Sequence, residues 1–346
     1  MKVLVKWYKW IILAIIFQFC VLFYINNVFL NTNVAVNVTN TGTKTKPETG
    51  DFTVPETASD VKLSFNAKFG AYLSDGVLHI IDADSNKDKQ VAGMEKDKIT
   101  FFKWLPDRDM VIYSSDTKNG KKGVVQMSTY EADSETARDY PEISGLSSKS
   151  EIKDIDLSPY TNVVYAKIRT SDSNSKIIRF NVMSQYAHVM NLGADAIIKE
   201  CSYVNKLVYQ NPGESIYIYD GIKVVKNKIP VDAKEVRVLD IDQDDTLYIG
   251  ILNTSGKVTQ IYKQKITEDK PTDNWTKISL QDSVSPENIV ISGTGNIYAV
   301  NSEENTVSNL ENDLKASYRG DFLEILNGAL VSKDGKKVNI TSLKEY

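Results

Sequence analysis

The chain has 346 residues, 42% of them hydrophobic and 25% charged, with a formal net charge of −4. That balance excludes a collagenous, low-complexity or wholly disordered chain. With its lysines scattered through a mildly acidic body, the chain lacks a nucleic-acid footprint, so no nucleic-acid partner is expected.

Residues 1–30 differ sharply from the rest. Lys2, Lys6 and Lys9 precede an apolar run through residues 10–25, and the only charge between Trp7 and Asn26 is Lys9. A helix of about 20 residues spans about 30 Å, enough for a bilayer core. Trp7, Tyr8, Trp10 and Tyr24 fit the aromatic belts, and the one-sided lysines predict a cytoplasmic N-terminus with the body outside. A cleaved signal peptide fits less well, because the run is long and no A-x-A site follows it. The expectation is a stub over residues 1–9 and a transmembrane helix over 10–30. The chain is then a single-pass cell-membrane protein with an extracytoplasmic body.

Residues 31–56 are rich in Thr and Asn and read as a tether. Asn37, Asn253, Asn274 and Asn339 each begin an N-glycosylation triplet, a pattern that often arises by chance.

From residue 57 onward short apolar runs alternate with turn residues. Residues 99–105 are apolar and aromatic, and Pro106-Asp107-Arg108-Asp109 breaks them with turn chemistry. Residues 110–115 form a second run, Asn119-Gly120 marks a turn, and residues 123–130 read as a third strand. Similar first strands start near Val61, Ile99, Ile152, Ile197, Val236, Ile289 and Phe322. A spacing of roughly 40 residues with several Ile-, Val- and Tyr-rich strands each is the pattern of a β-propeller. Such units must stack, since none buries its own faces.

Trp104-Leu105-Pro106-Asp107 followed by Met110-Val111-Ile112-Tyr113 resembles the hairpin of TolB-type propeller repeats. Leu157-Ser158-Pro159-Tyr160 followed by Asn162-Val163-Val164-Tyr165-Ala166 is a second copy. Residues 240–249 and 292–300 are looser copies, more similar to hairpins of other propellers. The resemblance to the TolB-like and WD40-like propeller superfamily covers most of residues 55–346. It implies an all-β, seven-bladed propeller and carries over no functional residue.

The seventh unit shows three strands, over residues 322–326, 329–332 and 337–343. An open outer edge leaves backbone groups unpaired, so residues 51–56 are expected to supply the fourth strand and close the ring. Phe52 and Val54 are then on one side, and Pro55, which has no N–H, at the strand's end or outer edge.

No catalytic apparatus is legible. His79 and His188 both lie in strand-like runs and read as structural. G-x-S-x-G, H-E-x-x-H and C-x-x-C are missing, and no cofactor is expected. Asp240, Asp242 and Asp244, with Asp245, form the one metal candidate. A calcium loop needs Gly at its sixth position and Glu at its twelfth, where Asp245 and Ile251 stand, so a hairpin turn is the simpler reading. Arg319-Gly320-Asp321 reads as a turn, and Lys118, Lys121 and Lys122 as a solvated hairpin tip. Cys20 in the apolar run and Cys201 in a strand cannot pair, which leaves the body to its packed core.

The function expected is a non-catalytic binding or scaffolding module for a protein, peptide or glycan at the cell envelope. The alternative is a propeller-type lyase or hydrolase acting on envelope polysaccharide or peptide. Six or more charged residues converging in a deep central pocket favour the enzyme, and an aromatic-lined mouth favours binding.

Overall fold

A computed structural model describes residues 15, 17–19, 21–22, 51–92, 98–115, 123–267, 269, 271–312 and 314–343. By contacts the chain divides into two units, Met1–Thr45 and Lys46–Tyr346. The expected span over residues 10–30 falls mostly outside the described residues, as do Asn37 and the lysines 118, 121 and 122. Ile15, Phe17, Gln18, Phe19, Val21 and Leu22 are helical and exposed. Among the described residues no helix is long and apolar enough to cross a membrane.

The second unit is a seven-bladed propeller. Its described residues form seven four-stranded antiparallel sheets, each running A to D outward from the axis. The A strands are Ser59–Leu63, Ile99–Trp104, Glu151–Leu157, Ile197–Glu200, Val236–Ile241, Ile289–Ile291 and Asp321–Leu326. Each contains or begins at the position expected from the repeat. The third strand of blade 2 is Gln126–Glu131 rather than 123–130. Gly123 sits at a φ of 75°, a turn conformation, and Val125 makes only an isolated bridge to Ile143.

Period-2 alternation decides the packing. In the B strand of blade 1, Phe69, Ala71 and Leu73 join the apolar cluster shared with blade 2. The intervening Tyr72 joins the cluster shared with blade 7. Seven such clusters among the described residues fill the seven interfaces between blades. Each blade is thus a half-core that its neighbours complete.

The ring closes as the sequence predicts. Phe52–Thr53 pairs with Lys337–Ser342, Phe52 facing Val338 and Thr53 facing Lys337, and the Val54 N–H donates to the Lys336 carbonyl at 2.8 Å. Phe52 and Val54 are buried on one side while Thr53 is exposed. Pro55 follows the strand, where a missing N–H costs nothing. Gly70 is required opposite: a Cβ there would stand 2.7 Å from the Phe52 ring. Gly320, the turn of Arg319-Gly320-Asp321, is required too, since at a φ of 74° its Cβ would meet the Lys333 carbonyl oxygen at 2.0 Å.

Candidate functional site

The A strands converge on the axis, and what interrupts their apolar pattern lines it. Register shifts mark the A–B pairing between Ser59 and Lys62, Ile99 and Phe101, Ile152 and Asp154, Val238 and Asp240, and Phe322 and Glu324. A bulge re-aims the side chain that follows it, so charged and aromatic residues recur at this place in successive blades.

A cavity of about 390 Å³ lies there. Lys62, Phe101, Lys103, Asp154 and Glu324 come from A strands. Phe65, Pro106, Gln243, Gly293 and Asn327 come from the turns between A and B strands, which place its mouth at that end of the ring. Trp104, Leu105 and Leu326 complete an apolar wall.

The cations of the cavity are committed to holding blades together. Lys62 donates to the Phe102 carbonyl at 3.1 Å and lies 4.8 Å from the Phe102 ring centroid. Lys103 donates to the Ile155 carbonyl at 3.0 Å and to Asp156 at 2.9 Å. Burial lowers the pKa of Lys62, and Asp60 and Glu324 offset that only in part. Burial opposes the charge of Lys103 as well, but Asp156 and Asp154 outweigh it and hold that lysine above the ordinary range. Glu324 accepts the Leu63 N–H at 2.7 Å. Burial pushes its carboxyl up to about 7, against the pull of that N–H and of Lys62. Deeper between blades 3 and 4, both Glu200 oxygens have no hydrogen-bond partner. Burial, helped by nearby Asp156, pushes this carboxyl well up, which favours its neutral form.

The acidic cluster is divided among three tasks. Asp240 pairs with Lys199 of blade 4 at 2.8 Å. Asp242 accepts from the Asp244 N–H at 3.0 Å, the Thr246 N–H at 2.8 Å and the Tyr248 hydroxyl at 2.9 Å, fixing its own hairpin. Asp245 reaches across to blade 4, where it accepts the N–H groups of Ser202 and Tyr203. Asp244 donates its N–H to that hairpin. Among the described residues no three His, Cys, Asp or Glu side chains gather around a point that could hold a metal ion.

The two histidines are far from the axis and from each other. His79, in the C strand Val77–Asp82 of blade 1, stacks on Tyr72 at 4.9 Å and meets Asp88 at 3.2 Å. His188, in the outermost strand of blade 3, contacts Asn191 at 2.9 Å. Cys201, expected in a strand, lies one residue beyond Ile197–Glu200. It is wholly buried in the turn, and its N–H donates to the Lys206 carbonyl at 3.0 Å.

Sequence reasoning missed the cavity because its residues are dispersed from Lys62 to Asn327. The signal was present as a charge interrupting each short apolar run: Val61-Lys62-Leu63, Phe102-Lys103-Trp104, Ile152-Lys153-Asp154-Ile155 and Leu323-Glu324-Ile325.

No family model and no curated protein matches the sequence. Solved structures do. The β-propeller domain of Cps50 (Swd1) from Myceliophteria thermophila is 12% identical over 85% of this chain and 100% of that one, with a TM-score of 0.55. A prolyl endopeptidase is 14% identical over 75% of this chain, with a TM-score of 0.53. TolB from Acinetobacter baumannii is 15% identical over 85% of this chain and 64% of that one, with a TM-score of 0.44. This chain spans 42% of the endopeptidase chain it matches. At these identities the likeness is one of fold alone, that of a β-propeller.

Proposed function

We propose that the chain is a membrane-anchored, extracytoplasmic propeller that binds a protein or peptide segment at the mouth of its axial cavity without transforming it. The observation that carries this reading is the division of labour in the cavity. Lys62 and Lys103 are tied to the neighbouring blade, while Phe65, Phe101, Trp104, Leu105 and Leu326 form the wall a ligand meets. Four charged residues line the cavity, Lys62, Lys103, Asp154 and Glu324, fewer than the convergence an enzyme calls for. An apolar and aromatic wall with a few fixed polar groups is the usual make-up of a binding pocket. The one-sided lysines before the apolar run support the N-in topology.

One observation favours the second reading, a hydrolase or lyase. Glu324, held near neutrality, has the acidity of a general acid or base. A single experiment separates them. Intact cells expressing the full chain are treated with a membrane-impermeant lysine cross-linker, and the products are identified by mass spectrometry. The propeller lysines are expected to react from outside and to trap a partner, which a Phe65→Arg/Leu326→Arg variant of unchanged melting temperature loses. Protection of the propeller sinks the topology, and an unchanged partner set sinks the cavity. The Glu324→Gln variant retains the partner under the binding reading; a trapped substrate accumulating uncleaved only in that variant supports the enzyme.

A further inference from the structure

The large apolar side chains that the propeller exposes, among the described residues, all lie on blades 3 and 4. In an antiparallel four-stranded blade the A–B and C–D turns share one end. Val182 and Met183 belong to the C–D turn of blade 3, between Asn174–Phe180 and Tyr186–Gly193, and Tyr186 opens the D strand beside it. Ile222 and Val224 belong to that of blade 4, between Tyr217–Asp220 and Val225–Lys228, and Val225 opens the D strand beside it. Tyr160 and Tyr203, on the A–B turns of the same two blades, stack at 4.2 Å with their hydroxyls 3.2 Å apart. Eight exposed apolar side chains therefore share one end of two adjacent blades.

The equivalent turns elsewhere are built oppositely. Blade 1 presents Asp84 and Ser85, blade 2 Asp133 and Ser134, and blade 6 Glu311 and Asn312. The blade 3 turn, residues 181–186, carries no charge, and residues 221–230 of blade 4 carry Lys223, Lys226 and Lys228, all exposed, and no acid. A basic and apolar patch thus stands out on a chain whose formal charge is −4.

Val224 is a second, independent observation. Its φ is +56°, in the left-handed region, where the C–D turns of blades 1 and 2 use Asn86 and Glu135. A β-branched residue is disfavoured there, and Val224 is also 69% exposed. Neither backbone propensity nor burial accounts for a valine at that place. Strain retained at a surface position points to a function outside the fold itself.

We propose that the C–D turns of blades 3 and 4 dip into the surface of an anionic lipid bilayer, with Met183, Ile222, Val224 and Val225 below the headgroups. Tyr160, Tyr186 and Tyr203 lie at headgroup level, where amphipathic rings partition. Lys223, Lys226 and Lys228 reach lipid phosphates, their stems covering apolar surface. Turn tips are convex, which suits insertion between lipids better than the flat, pocketed patch typical of a protein hot spot. The inference deepens the membrane reading above and rests on the propeller lying within a tether's reach of the bilayer.

The test uses the full chain carrying Cys20→Ser, with an environment-sensitive dye on an Ile222→Cys variant or, as control, on an Asp84→Cys variant. Each is mixed with vesicles of neutral phosphatidylcholine, or of the same lipid with one third phosphatidylglycerol. Association with neutral vesicles reports the anchor alone. With the anionic lipid, the dye at position 222 is expected to shift blue and to lose iodide quenching at least threefold, while the dye at 84 stays fully quenched. A Lys223→Gln/Lys226→Gln/Lys228→Gln variant is expected to bring the quenching back. Equal quenching at 222 and 84 in anionic vesicles overturns the proposal. So does shielding of 222 that needs native envelope proteins, which indicates a protein partner, or shielding that grows with protein concentration in detergent, which indicates a second copy.

Discussion

At the seam between blades 7 and 1, closure rests on apolar packing. Phe52 and Val54 fill a cluster with Val61, Tyr72, Val331 and Val338, and the closing strand itself is only Phe52–Thr53. Around the axis, the blades are joined by charge and hydrogen bonds. Lys103 ties blade 2 to blade 3 through Asp156, and Lys199 ties blade 4 to blade 5 through Asp240. The Glu324 carboxylate reaches the Leu63 N–H of blade 1. Packing is non-directional and sums over area, so a short strand suffices where a large ring is buried. Hydrogen bonds to buried charge are directional and costly to leave unmade. They keep the A strands in place around a cavity that must stay open.

The largest test of this contrast is at the seam. Phe52→Ala removes a ring that is 1% exposed and is expected to cost about 3–5 kcal/mol, read as a lower urea midpoint. Hydrogen exchange should rise first in the strands of blades 7 and 1. A loss under about 1 kcal/mol would mean the seam is not held by packing.

Asp245→Ala probes the directional joints. It leaves the Ser202 and Tyr203 N–H groups without their acceptor and is expected to cost about 2–3 kcal/mol. Exchange should rise at the joint between blades 4 and 5, leaving the seam protected. Equal exchange at both places would erase the distinction between the two regions.

The smallest effect has the opposite sign. The folded carboxyl of Glu324 stands at about 7, above its ordinary 4.5. Its contribution to stability is therefore complete below about pH 4.5 and is lost as pH rises through 7. Glu324→Gln is expected to flatten that loss and to be more stable than the wild type above pH 7 by about 2 kcal/mol, less than the full shift because the carboxyl is partly open to the cavity. Denaturation at pH 5 and pH 8 measures it, and a wild type equally stable at both would break the assignment.

The fold was legible because it depends on local repetition. Residues such as Trp104-Leu105-Pro106-Asp107 state a strand and its turn within a few positions, and all seven A strands contain or begin at the position the pattern gives them. The closing strand was legible too, since a unit short of one strand and an unassigned Phe52-Thr53-Val54 fit each other. The cavity was not, because its position depends on bulges between strands and on which blades meet across the axis. The exposed turns of blades 3 and 4 were hidden for another reason. Ile222, Val224 and Val225 look in sequence like one more buried strand, and only their placement on a turn and at the start of an outermost strand shows that nothing covers them.

The seam has a consequence for the order of events in the cell. Phe52 and Thr53 leave the ribosome among the first residues of the propeller, and their partners, Val338 and Lys337, among the last. Until those emerge, the inner face of blade 1 has no neighbour on one side, and Phe52 has no pocket to fill. The ring cannot be locked step by step as it is made. It stays an open arc through nearly all of synthesis, with its apolar flank unprotected at both ends, and shuts in one late, long-range event of high entropic cost.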